Sequence, residues 1–229
     1  MTRTVSRQWP PAPGDYEVGN PELPVAVCTL GKKIAIPAPC AIVGTCKTEN
    51  IGIERVIVNV VSNPNIRYFV LAGPEIPGHR TGSSLRSLYH NGIDPDTKKI
   101  IDAPGAIPYI ENIPLEAVER FRRQVEFVDM MNVGDPDRIA ATVRDLLERG
   151  AEPYPEEPLW IEFIRESRTA SKGPRDSISV IPEFDVSLDP ATSALGSSGL
   201  AATVTVNPSR VIIEIHADDD GLMFLAKED

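Results

Sequence analysis

The sequence predicts an α/β fold: a doubly wound, mostly parallel sheet with helices on both faces, followed by a small antiparallel β meander. Three observations predict it. Pro24–Leu30 and Ile66–Ala72 are short, unbroken apolar runs, the pattern of strands buried on both faces. Other segments repeat apolar residues at helical spacing, as in Ile53, Val56, Ile57, Val60 and Val61. Beyond the proline-rich stretch after Gly150, the period changes to two.

Residues 1–23 are rich in turn formers and read as an irregular arm anchored by Trp9. The first strand is Pro24–Leu30 and the second is Ala41–Thr45. Thr48 or Glu49 opens a helix, and Asn63-Pro64 stops it. The strand Ile66–Ala72 ends in Gly73-Pro74, and a loop carries Gly78-His79-Arg80-Thr81-Gly82. Ser83 or Ser84 caps a short helix through Leu85, Leu88 and Tyr89, with Gly92 as its stop. Residues 98–102 read as a short strand and 105–114 as a turn-rich loop. Pro114 starts a helix containing Leu115, Val118, Phe121, Val125 and Val128. A further helix runs from Asp135-Pro136 to Gly150, with Ile139, Val143 and Leu147 on one face. Trp160–Ser167 is expected to be a short helix and 169–177 a linker. Five alternating segments then form the meander: 177–181, 184–188, 200–206, 211–216 and 222–225. The domain division is therefore 1–168 and 169–229.

Composition excludes several function classes. A net charge of −10 argues against a nucleic-acid partner, which needs a basic face. No apolar run is long enough to span a bilayer, and no signal peptide opens the chain, so a soluble cytoplasmic protein is expected. The cysteines are Cys28, Cys40 and Cys46, an odd count without a CxxC pair, which argues against a disulfide framework or a structural zinc site.

Ligands of open α/β sheets sit beyond the carboxyl ends of the strands. Here those segments are Thr29-Leu30-Gly31, Cys46 to Asn50, and Gly73 to Ser83. No GxGxxG and no GxxxxGK[ST] is present, which disfavours dinucleotides and P-loop nucleotides. His79 lies between Gly78 and Gly82, where the backbone leaves room for a flat, bulky ligand and an imidazole can bind a transition metal. A solvent-exposed loop histidine is the plainer alternative. His90 suits a helix C-terminus and His216 a structural role. Glu49 and Glu75 are either ligand contacts or stabilisers of a helix N-terminus.

Several ordered strings carry a family resemblance. They are Gly14-Asp15-Tyr16; Val18-Gly19-Asn20-Pro21; Pro24-Val25-Ala26-Val27 with Thr29-Leu30-Gly31; the run from Cys46 to Glu54 (CKTENIGIE); Ser62 to Arg67; Gly78-His79 with Thr81-Gly82; and the run from Gly105 to Pro114 (GAIPYIENIP). Together they resemble the A subunit of tetrahydromethanopterin S-methyltransferase, a corrinoid protein of methanogens, over roughly the first 165 residues.

The resemblance implies a Rossmann-like fold that binds a cobamide (cobalamin-type cobalt corrinoid) at its strand ends. It implies His79 as the lower axial cobalt ligand and thus the catalytic and metal-binding residue. The implied cofactor contacts are Thr29, Leu30, Gly31, Cys46, Thr48, Glu49, Gly73, Gly78, Thr81, Gly82, Ser83, Pro108 and Tyr109. The methyl group would come from a methylated pterin through a pterin-dependent partner methyltransferase, or from another C1 donor such as a methylated tetrahydrofolate, a methoxy compound or a methylamine. It would leave to a thiol held by a methyl-acceptor partner. Hydrogen bonding to the second ring nitrogen of His79 would tune the ligand, but the sequence does not name the group responsible. Membrane-bound members end in an apolar transmembrane helix, whereas this chain ends in a β-rich extension suited to homo-oligomerisation, partner docking or a lid. The competing reading is a non-catalytic binding or scaffold protein that kept the fold without the cofactor.

Overall fold

The computed structural model describes residues 2–161 and, beyond them, the backbone of six strands between 178 and 228. The chain divides into two compact units, Met1–Ile164 and Arg165–Asp229. The first holds a five-stranded sheet of β1 (Tyr16–Val18), β2 (Val25–Cys28), β3 (Ile42–Gly44), β4 (Tyr68–Gly73) and β5 (Glu126–Met131), in the order β1-β3-β2-β4-β5. All neighbours are parallel except the edge strand β1, which runs antiparallel to β3. Four helices pack with it: α1 (Ile51–Val61), α2 (Thr81–Asn91), α3 (Leu115–Gln124) and α4 (Pro136–Arg149).

Strand alternation explains the unbroken apolar runs. Ala26, Cys28, Phe69 and Leu71 enter one core with Ile53, Ile57 and Val60 of α1 and Val118 and Phe121 of α3. Val25, Val27, Tyr68, Val70 and Ala72 enter a second core with Ile139, Val143 and Leu146 of α4. Odd and even positions thus face helices on opposite sides, so no position is left for a polar residue. Phe69 meets Phe121 edge to face at 5.3 Å, joining sheet to α3.

The arm is less irregular than its composition suggests, because Tyr16–Val18 joins the sheet as β1. Trp9 is its anchor: it is buried, and its Nε1 donates to Asn59 O at 2.8 Å. Asn59 also accepts from the Ala12 amide and donates to Ala12 O, so a buried amide side chain on α1 satisfies the arm's backbone.

Four expectations need correction. The helix expected to run through Val125 and Val128 ends at Gln124, and the next residues form β5. Val118, Phe121, Val125 and Val128 keep helical spacing by coincidence; pairing with β4 along Tyr68↔Glu126 to Gly73↔Met131 decides the outcome. The Gln124 side chain, fully buried, donates to Val60 O, Asn63 O and Ile66 O and locks the stop. Residues 98–102 make only isolated bridges, Ile93↔Ile100 and Lys99↔Tyr109. The α1 cap is Asn50, not Thr48 or Glu49, although Thr48 Oγ1 accepts from the Gly52 amide. Helix α2 begins at Thr81, before either expected serine cap.

In the second unit, β6 (Ile178–Ile181), β7 (Val186–Asp189), β8 (Ala194–Ser197) and β9 (Val204–Thr205) form one antiparallel sheet, and β10 (Val211–Asp218) pairs with β11 (Gly221–Glu228) in another. The antiparallel pairing agrees with the expected meander, but it splits into two sheets, and β8 was not expected because Ala-Leu-Gly-Ser has little β propensity. Trp160 and Ile161 are not helical, and the rest of the helix expected to Ser167 lies outside the described residues, as does the linker.

Gly73 ends β4 at φ +85, and a Cβ there would stand 2.4 Å from Thr29 O. Gly73→Ala is therefore expected to destabilise the first unit by about 3 kcal/mol. Urea unfolding followed by tryptophan fluorescence would measure it.

Candidate functional site

The loops that follow β3 and β4 meet the loop at 105–110, and one side-chain pair joins them. Glu49, 1% exposed, lies just ahead of α1, and its Oε2 stands 2.8 Å from His79 Nδ1. Its other oxygen, Oε1, accepts from the Ile107 amide at 2.8 Å. One buried carboxylate thus ties the 46–50 loop, the 74–80 loop and the 105–110 loop. A carboxylate only accepts, so in a neutral imidazole Nδ1 carries the hydrogen and Nε2 keeps its lone pair. The His79 side chain is 54% exposed, so that nitrogen lies on an accessible ring.

The ground around the pair is open and only partly satisfied. Gly78, at φ +83, has nothing within 4 Å of the place a Cβ would take. Thr81 Oγ1 and Ser84 Oγ are buried and have no hydrogen-bond partner among the described residues. Gly105 packs tightly below: a Cβ there would meet Ser84 Oγ at 2.7 Å, Glu49 Cγ at 2.8 Å and His79 O at 2.8 Å. Ile51 follows Glu49 closely in sequence and Ile107 touches it through its amide, and both side chains are exposed, at 44% and 46%.

A second carboxylate shapes the His79 loop. Arg80 adopts the left-handed conformation and offers α2 no side-chain cap. Glu75 supplies one instead: Oε1 accepts from the Gly82 amide, and Oε2 from the Ser83 amide and hydroxyl, at 2.7–2.9 Å. The Glu75 amide in turn donates to Asn132 Oδ1 at the end of β5. Partial burial pushes the Glu75 carboxyl up. The Ser83 hydroxyl and the Gly82, Ile76 and Ser83 amides outweigh it and hold the group below the ordinary glutamate range.

The expected site residues fall into two groups. Glu49 and His79 meet in the pair, with Gly78 next to His79 in the same loop, while Thr81 is buried two residues beyond His79 at the start of α2. The others hold the backbone of the loops. Thr29 bonds Gly44 O, buried Leu30 sits at φ +54, and a Cβ on exposed Gly31 would meet Ile76 at 3.0 Å. Gly73 and Gly82 allow close packing against Thr29 and against Met131 and Leu30, and Ser83 serves Glu75. Thr48 receives the Gly52 amide, Pro108 accepts from the Ile100 amide, and Tyr109 bridges to Lys99. Cys46 is buried against Cys28 rather than at the His79 pair.

Sequence reasoning missed Ser84, Gly105, Ile107 and Glu54. Glu54, fully buried on α1, accepts from the Glu111 and Asn112 amides and from Asn112 Nδ2 at 2.7–2.8 Å. The signal was present: Glu49 and Glu54 belong to CKTENIGIE, and every group they hold in the third loop belongs to GAIPYIENIP.

The family model of the tetrahydromethanopterin S-methyltransferase A subunit matches residues 2–171. The chain belongs to that family. It is 49% identical over 173 residues to the second of two such A subunits in Methanobrevibacter ruminantium, covering 74% of this chain and 89% of that one. It is 50% identical over 157 residues to the first A subunit of Methanothermobacter marburgensis, covering 67% of this chain and 66% of the relative. The A subunit of Methanopyrus kandleri is 51% identical over 166 residues, with 69% and 67% covered. The chain thus spans about two thirds of the length of the latter two. By name, these family members are subunits of a methyltransferase. Among the described residues, no helix is long and apolar enough to cross a membrane.

Glu75 generates a pH prediction. Its carboxyl lies lower in the folded chain than in the unfolded one. Its contribution is therefore complete above the unfolded value of about 4.3 and is lost as pH falls through the folded value. Glu75→Gln is expected to cost about 1 kcal/mol at neutral pH, the scale of a lost helix cap, and to flatten that acid limb. Urea midpoints measured from neutral to acid pH would show both effects.

Proposed function

We propose that this chain carries a cobamide and serves as the corrinoid subunit of a methyl-transfer system, with His79 Nε2 as the lower ligand of the cobalt. The observation that carries the reading is the 2.8 Å contact from Glu49 to His79 Nδ1. A metal-binding imidazole characteristically donates its other N–H to a carboxylate, which sets the tautomer and raises the basicity of the ligand nitrogen.

The surrounding residues fit a corrinoid. Among the described residues no three His, Cys, Asp or Glu side chains group as metal ligands. A corrin ring supplies its own equatorial nitrogens, so one imidazole from the protein suffices. The hydroxyls of Thr81 and Ser84 are buried without partners, which costs about 1–3 kcal/mol each, and amides on the ring edge suit them. Gly78 leaves open space beside His79, and Ile51 and Ile107 offer exposed apolar contact to a flat macrocycle.

When bound, the cobamide supplies a cobalt that takes up a methyl group and gives it away. The protein's part is to orient and tune. Glu49 fixes the imidazole ring and its proton, while Ile107 N–H holds Glu49 in place. Glu75 and the start of α2 hold the backbone that carries His79. The methyl donor in this reading is a methylated pterin presented by a partner methyltransferase. The acceptor is a thiol on another partner of the complex. The relatives' names supply the pterin and the methyl transfer to sulfur.

Reconstitution with hydroxocobalamin followed by gel filtration tests the proposal. The wild-type chain is expected to elute coloured. His79→Ala should change the visible spectrum of the bound corrinoid, and Glu49→Gln should weaken binding by roughly tenfold. An unchanged His79→Ala spectrum would remove the ligand assignment. A colourless wild-type protein would favour the scaffold reading.

A further inference from the structure

A cavity of about 270 Å³ lies between α1, the sheet and the arm, and two cysteines line it. Cys28 ends β2, where it pairs with Gly44 of the adjacent parallel strand β3. Cys46 lies two residues beyond Gly44, and both side chains join the same core. Both cysteines line this one cavity, and the Cys46 thiol donates to Thr48 O at 3.7 Å. Tyr16, Gly44, Gly52 and Val56 are among the walls. Gly52 keeps the space over one thiol free: a Cβ there would stand 3.2 Å from Cys46 Sγ.

We propose that Cys28 and Cys46 form a redox-active dithiol, closed to an intramolecular disulfide by a small peroxide-class oxidant that enters through this cavity. A paired thiol is needed for such chemistry, because a sulfenic acid formed on one sulfur must be resolved by a second within reach. In the first step the Cys28 sulfur attacks one peroxide oxygen, the O–O bond breaks, and water and a sulfenic acid result. In the second the Cys46 sulfur displaces that hydroxyl as a second water, and the S–S bond forms. The two sulfurs together lose two electrons, and the peroxide gains them. The neighbouring Cys46 holds the Cys28 thiol below its ordinary range, which suits it to the first step, and the Cys28 contact and burial push Cys46 up, which suits it to wait. The disulfide would tie to β2 the segment that leads from Cys46 to Glu49.

Cys40 is the internal control. It is also buried, at 6% exposed, but it belongs to the opposite core, and its thiol is raised by desolvation alone. Solvent access through the core in general would oxidise all three cysteines; access through this cavity selects two.

The test uses the full chain, reduced, desalted and treated with one equivalent of hydrogen peroxide. Free thiols are then alkylated under denaturing conditions, and peptides are mapped by mass spectrometry. The expected result is a Cys28–Cys46 cross-linked peptide lacking two hydrogens, loss of alkylation at those two positions, and full alkylation of Cys40. Dithiothreitol should restore all three. Cys40→Ser should still cross-link, and Cys46→Ser should leave Cys28 as a sulfenic acid that dimedone traps. Further oxidation of Cys28 without a cross-link in the wild-type chain, or loss of Cys40 alkylation at the same rate, would overturn the proposal. No corrinoid is needed for this readout, so its failure is separate from failure of the methyl-carrier reading.

Discussion

Glu49 is a carboxylate removed from water, and it survives there because both oxygens are engaged, one by His79 Nδ1 and one by the Ile107 amide. Burial of an ionised group is tolerated only with such partners. The same requirement makes it a clamp: either loop can leave only by stripping a buried charge of a hydrogen bond. Glu54, five residues on, repeats the device with Glu111 and Asn112. Two carboxylates near the start of one helix therefore hold both ends of the loop from Gly105 to Asn112.

That helix is itself well fixed. Its first turn is capped by Asn50 and Thr48, and its middle is tied to the arm through Asn59, Trp9 and Ala12. Its apolar face shares a core with β2, β4 and α3. Loops alone are mobile, and α1 gives the segment that carries Glu49 a fixed base. The arm thus acts on His79 at two removes, through α1 and Glu49.

The opposite wall of the site uses charge differently. Helix α2 begins on a left-handed Arg80 and is not capped from its own N-cap residue, so Glu75 folds back to receive its first amides. Asn132, at φ +67, reaches from the end of β5 to hold the Glu75 backbone. The His79 loop is therefore pinned by the end of β5, the strand hidden from the sequence by a helical spacing that ran on into Val125 and Val128.

By itself, the sequence determined the fold class and pointed to the strand-end loops as the candidate site. The apolar runs of β2 and β4 could only be strands covered on both faces, and Gly73 and Gly82 at the end of β4 and the start of α2 marked places of close approach. The ordered strings from Cys46 to Glu54 and from Gly105 to Pro114 marked the family. What the tertiary structure alone decided was which residues meet. Glu49 stands 30 positions from His79 and 58 from Ile107, and no local spacing encodes such a contact. The same holds for β5, whose identity as a strand comes from the register with β4, and for Cys28 with Cys46, brought together by the order of two neighbouring strands. Local propensity and periodicity act over a few residues; pairing a buried charge or closing a sheet needs the whole chain.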